Sequence, residues 1–215
     1  HGVVPFPVLE QVLDVIAALP EPTLESLQIE RLLLKMFWSV GNMSLPPYLV
    51  HNPASLTKWL SFVLHTLERP TKGAHVPSEQ TQNIIHGHYW KAVKRAAEIS
   101  LRWLLRYGKN EDVTGKDRSD IRKAVAPFQT QFVPSIVIGF LNLVARRTEL
   151  GAPDLIVYWG LTFLGNATRY SKAWETLKPH VQALVQQLAF PIICPTQEDL
   201  SLFQDCLLYT SPSPR

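Results

Sequence analysis

Amphipathic segments open along this chain at a nearly constant interval, near Thr23, Tyr89 and Pro153, positions 66 and 64 residues apart. Each is followed by a second such segment, opening near Ser55, Arg118 and Ser171. The pattern predicts stacked helical hairpins. A lone pair leaves an apolar face bare until the next pair covers it, so an array of this kind needs about three or more repeats to be stable. Strand-like alternation is almost absent, and the expected fold class is all-α.

The first long helix is predicted after Thr23, where Leu24, Leu27, Leu33, Leu34, Phe37 and Trp38 recur mostly at three or four residues. Thr23 suits the N-cap, and Gly41 stands where a left-handed C-terminal cap is expected. Ser55 is expected to cap a helix carrying Leu56, Trp59, Leu60, Val63, Leu64 and Leu67, which Pro70 stops. Between the two, Ser44 to Asn52 holds Pro46 and Pro47 and reads as a connector; Thr71 to Gln82 reads as a polar loop. The next helix sets Trp90, Val93, Ala97, Leu101, Leu104 and Leu105 on one face and ends at Gly108. Its partner, from Arg118 to about Thr148, contains Pro127 and Pro134, which lack an amide donor and predict a break or kink. Pro153 fits the first turn of a helix through Val157, Leu161 and Leu164, and Pro179 an early position in one through Val181, Leu184, Val185 and Leu188. Trp38, Trp59, Trp90 and Trp103 fall at or beside apolar positions and are expected in the core. The spacing suits HEAT-type units of ~40–47 residues with extra loop inserted, hence an α-solenoid. Residues 1–205 are read as one HEAT-repeat segment of a longer solenoid. From Cys206 the period is lost, and 206–215, ending in a Ser-Pro repeat, reads as a disordered tail resembling a translated sequencing adaptor.

Composition narrows the function classes. Hydrophobic residues make up 46% of 215, with six Trp, enough for a large core. The excess of 21 Lys+Arg over 18 Asp+Glu is mild, so direct nucleic-acid binding is not expected. Cys194 and Cys206 form neither a CxxC pair nor a disulfide framework, and a reducing compartment is the default expectation. The richest apolar run, Phe132 to Ala145, is interrupted by Pro134, Ser135 and Asn142 and followed by Arg146 and Arg147; it reads as a buried helix, with no membrane partner expected. No leader is visible at His1, so the chain reads as part of something longer, and the acceptor patterns Asn42-Met43-Ser44 and Asn166-Ala167-Thr168 are not expected to be glycosylated.

No GxxxxGK[ST], GxGxxG or GxSxG occurs, so neither a phosphate cradle nor a nucleophile elbow is written here; no catalytic residue, enzyme activity or cofactor is expected. His86 and His88, with His75 nearby, lack the further ligands a closed zinc site needs, and they read as loop histidines, with no metal expected. The cations Lys91, Lys94, Arg95 and Arg102 lie opposite the apolar face of their helix, and Lys109 follows just past its end. They form a candidate partner-binding face for an acidic protein loop or nucleic acid, weighed against an ordinary solvated surface.

The run Leu32-Leu33-Leu34-Lys35-Met36-Phe37-Trp38-Ser39, the connector Leu45-Pro46-Pro47-Tyr48-Leu49 and the segment Tyr89-Trp90-Lys91-Ala92-Val93-Lys94-Arg95 give the chain a family resemblance. With Arg106-Tyr107-Gly108, Trp174, Leu177-Lys178-Pro179-His180, Phe190-Pro191 and Cys194 following in order, the stretch from about Pro5 to Asp205 resembles the importin-beta (karyopherin) superfamily, in its importin seven/eight branch. Two features depart from it: Gly87-His88 precedes Tyr89-Trp90 where the family usually has Pro-Trp-Trp-Lys, and Gln80 to His86 replaces the acidic lead-in. The resemblance implies an ARM/HEAT superhelix in a nuclear import receptor that carries protein cargo, contacts nucleoporins, and is controlled by Ran-GTP mainly through repeats N-terminal to this stretch. It also implies a location in cytoplasm and nucleus, including the nuclear envelope and pore. A helical-repeat interaction scaffold unrelated to nuclear transport is the alternative.

Overall fold

The computed structural model of the chain describes residues 6–19, 22–41, 45–71, 79–113, 117–190, 194 and 201. Among these residues there is no strand. The chain divides into two units, His1–Leu177 and Lys178–Arg215. His75, Cys206 and the tail 206–215 lie outside the described residues, and Cys194 is a free, exposed thiol.

The first unit holds α1 (Phe6–Ala17), α2 (Leu24–Gly41), α3 (Pro47–His51), α4 (Pro53–Glu68), α5 (Glu79–Tyr107), α6 (Arg118–Pro127), a π-helical turn (Phe128–Phe132), α7 (Val133–Ala145), α8 (Asp154–Ala167) and α9 (Ser171–Leu177). Helices α2, α5 and α8 pack side by side as one layer, and α1, α4, α7 and α9 follow one another in a second. Contacts of α4 with α5 and of α7 with α8 join the layers. The three predicted pairs are therefore present in the predicted order. The apolar positions explain it: Leu27, Leu33, Leu34 and Phe37 of α2, and Val93, Ala96, Ala97 and Leu104 of α5, are all buried. A helix whose apolar arc is this broad must be covered from more than one side.

Aromatic rings link the first two pairs. Tyr48 stacks on Phe6 at 5.0 Å, Phe6 meets the edge of Trp59, and Trp59 stacks on Phe37 at 5.0 Å. Phe37 in turn stacks on Trp103 at 5.6 Å, which meets Phe128 of the π turn at 5.3 Å. Trp59, Trp90 and Trp103 are buried as expected, whereas Trp38 is half-exposed at the rim of α2.

Several boundaries differ from expectation. Thr23 does cap α2, through a reciprocal pair in which its amide donates to Ser26 Oγ at 2.8 Å and the Ser26 amide to Thr23 Oγ1 at 3.2 Å. Gly41, however, belongs to the last turn of α2 without a left-handed φ; its carbonyl accepts from Arg106 Nη1 at 3.2 Å, so an α5 side chain closes this end. Asn52 occupies the N-cap of α4, and Ser55 lies inside the helix with its hydroxyl on Glu10 and Tyr48. The supposed connector contains α3, because Pro47 supplies the fixed φ that suits a first helical turn. Helix α5 opens at Glu79, within the stretch read as a loop, and Gly87 is carried inside it. Leu105, assigned to the apolar face, is 43% exposed on the opposite side. Pro153 stands just before α8 as its N-cap.

The break expected at Pro127 and Pro134 is instead a π-helical turn between α6 and α7. Val133 donates its amide to Phe128 O, five residues back, and the Ser135 hydroxyl reaches Gln131 O at 3.1 Å. A widened turn accommodates rings that would clash in a regular helix, while side-chain hydroxyls take up freed carbonyls. The helical stretch Arg118–Ala145 is long and apolar enough to cross a membrane by length and composition. Its apolar side chains Ile136, Val137, Phe140, Leu143 and Val144 are buried, and α7 packs on α4, α8 and α9.

Where α5 ends, Gly108 meets the Tyr170 ring and Leu104 O so closely that an added Cβ would overlap both. Gly108→Ala is expected to lower stability by about 1–3 kcal/mol through overpacking. Gly87→Ala, whose Cβ would meet nothing within 4 Å, should raise it by about 0.5–1 kcal/mol through helix propensity. Urea unfolding of the two variants reads both signs.

The second unit opens with a 3₁₀ turn at Lys178–His180, followed by α10 (Val181–Leu184) and a π-helical turn at Val185–Ala189. The helix predicted after Pro179 is thus present, divided among three helical geometries.

Candidate partner-binding face

Helix α5 packs against helices on several sides, so its polar residues are confined to a narrow outer arc. Lys91, Arg95, Glu98 and Arg102 follow one another at spacings of four, three and four, which places them in a single stripe along the helix. Lys91 and Arg102 are exposed, and Lys94 and Arg95 are half-exposed. Glu98 sits between the last two, 3.6 Å from Lys94 Nζ and paired with Arg95 Nη1. It cancels one charge and fixes two cationic side chains, although exposed i,i+3 and i,i+4 pairs contribute little stability.

The stripe continues onto α2. The Arg95 guanidinium lies 5.3 Å over the Trp38 ring, a cation–π contact that closes the seam between the helices. One and two turns away, the imidazole of His88 is held below its usual range by burial, then by Lys91 and by Arg31 of α2. Those two cations stand on different helices and act on one ring, so the positive field spans the seam. His86 accepts from Trp90 Nε1 at 3.0 Å. Among the described residues no group of three or more His, Cys, Asp and Glu is arranged to hold a metal ion.

Four of the five cations grouped from the sequence therefore share this face. Lys109 does not: its ammonium lies 5.2 Å over the Tyr170 ring, beside a cavity of about 280 Å³ that Gln129 and Lys172 also line. Sequence reasoning missed Arg31 and Trp38. They are seven residues apart, as are His88 and Arg95, and two helices lying alongside one another bring such rows together. The signal was present in the spacing, but it acquires meaning once α2 and α5 are known to be neighbours.

A layered stack of helix pairs with a charged outer face defines a helical-repeat scaffold. No family model and no solved structure matches the chain. Among curated proteins, Importin-8 of Homo sapiens is 24% identical over 200 residues, covering 89% of this chain and 18% of that protein. The Importin beta-like SAD2 homolog of Arabidopsis thaliana is 29% identical over 202 residues, 93% of this chain and 19% of its own length. The probable importin-7 homolog of Dictyostelium discoideum is 24% identical over 209 residues, 93% and 18%. Matches to importins and importin-beta-like proteins over about nine-tenths of the chain support its membership of the importin-beta superfamily. The chain spans less than a fifth of the length of these three relatives.

Proposed function

We propose that this chain is a scaffold segment of a nuclear import receptor, which carries protein cargo through the nuclear pore under Ran-GTP control. Similarity over about nine-tenths of the chain to proteins named importins carries this reading, and the stacked helix pairs suit it. In such an array each pair contacts its neighbours alone, so small helix shifts add along the stack and alter a long binding surface. Protein cargo and nucleoporins are the proposed partners of the whole protein, with Ran engaged mainly by repeats N-terminal to this segment. The proposed location is cytoplasm and nucleus, including the nuclear envelope. The segment's own role is to set spacing and present side chains, without catalysis.

Pull-down of the full-length protein with Ran loaded with GTP or GDP tests this directly. Clear preference for the GTP form is expected. Equal capture of both, or of neither, would favour a helical-repeat scaffold outside nuclear transport.

A further inference from the structure

The outer arc of α5 and the adjoining flank of α2 carry Arg31, Lys91, Lys94, Arg95 and Arg102, with Glu98 as the carboxylate among the stripe positions, already paired to Lys94 and Arg95. We propose that this strip is a docking surface for an extended acidic peptide segment of a protein partner. The inference rests on the scaffold reading and adds to it the chemistry of one partner.

Three observations lead there. The first is charge: several cations from two helices face outward together, in a chain whose overall excess is just +3, so the positive potential is local. The second is size. Lys91 to Arg102 covers eleven residues of helix, about 16 Å at 1.5 Å per residue, which is the reach of about five residues of extended chain. The third is order. Arg95 is braced by Trp38 on one side and Glu98 on the other, so less side-chain entropy remains to be lost when a carboxylate arrives.

The same features disfavour a nucleic acid. Affinity for nucleic acid grows with the number of phosphates neutralised, and single strands also need open aromatic platforms for their bases. Here the stripe is short and carries a carboxylate at its centre. The ring at its edge, Trp38, is already engaged by Arg95. A short acidic peptide needs a few charge pairs and backbone freedom, both of which this surface provides.

The test is fluorescence anisotropy of the intact protein with a labelled peptide of alternating Asp and Glu. Binding at low salt that weakens as salt rises is expected, as exposed charge pairs are screened. Lys91→Glu with Arg102→Glu should weaken it about tenfold, the sum of a few exposed charge contacts reversed in sign. Lys91→Gln with Arg102→Gln should weaken it less and serves if the reversal unfolds the chain. Lys123→Glu with Lys172→Glu changes net charge equally at exposed positions on α6 and α9 and should leave binding unchanged. Absence of binding at low salt, equal weakening by the two reversals, or tighter binding of an oligothymidylate with the same dependence on Lys91 and Arg102 would each overturn the proposal. Capture of Ran-GTP by the Lys91→Glu, Arg102→Glu protein separates this outcome from the receptor reading, because the face can fail while nucleotide preference survives.

Discussion

Phe37→Ala is expected to destabilise the protein by about 3–5 kcal/mol, the range for truncating a buried aromatic residue without refilling its space. Phe37 is 1% exposed and lies between two tryptophans, stacked on Trp59 of α4 and on Trp103 of α5. Removing the ring deletes both contacts at the point where the first helix pair meets the second. Stacked and edge-on aromatic pairs add about 0.5–1.5 kcal/mol each beyond the area they bury. The loss should therefore lie near the upper end of the range, with Phe37→Leu clearly milder because it keeps most of the volume. Guanidinium unfolding followed by tryptophan emission measures both the midpoint and the changed surroundings of Trp59 and Trp103. A cost below about 1 kcal/mol would mean that the pairs are held together elsewhere.

Glu30→Ala should cost about as much, roughly 3–5 kcal/mol, by leaving a buried cation without its counter-charge. Glu30 is 1% exposed on α2. Its Oε1 accepts from Thr66 Oγ1 at 2.6 Å and its Oε2 from Arg69 Nη1 at 2.7 Å. The Arg69 guanidinium also lies 4.6 Å over the ring of Tyr89, whose hydroxyl burial pushes up to about 12 despite the favourable charge of Arg69. One carboxylate thus ties α2 to the end of α4 and, through Arg69, to α5. The pair itself need not be strongly stabilising, since both ions lose hydration when buried. The informative comparison is therefore Glu30→Ala against Glu30→Leu combined with Arg69→Met. The double variant, which removes both charges and keeps the volume, should recover most of the loss; if it is as unstable as the single variant, the stranded charge is not the cause. Thermal melts of the three proteins decide it.

Both sites show how far sequence reasoning reached. The apolar period of α2 marks Phe37 as buried, but it does not say that two tryptophans more than twenty and sixty residues away close on its faces. Glu30 falls on the same face as Leu27 and Leu34 and so breaks the apolar pattern of α2. Its role is set by Thr66 and Arg69 at the end of the neighbouring helix, which both donate to its carboxylate. Conversely, the prolines of the α6–α7 stretch were read by a sound local rule that a π-helical turn circumvents. The serine expected to cap α4 lost that place to Asn52, next to a proline suited to the first turn. Such choices turn on a few hydrogen bonds of about 1 kcal/mol each, which neighbouring helices readily outweigh.

What the amino-acid order settled unaided was the all-α class, the succession of helix pairs and the sides they bury, because a period of 3.6 residues maps apolar spacing directly onto a helix face. Which cations would stand together was decided by tertiary packing. Parallel placement of α2 beside α5 brought Arg31 and Trp38 to the stripe of Lys91, Lys94, Arg95 and Arg102, while the loop after α5 carried Lys109 off to Tyr170. The reason is physical: burial is specified by each helix's own pattern, whereas a surface shared by two helices depends on the register at which their side chains interlock.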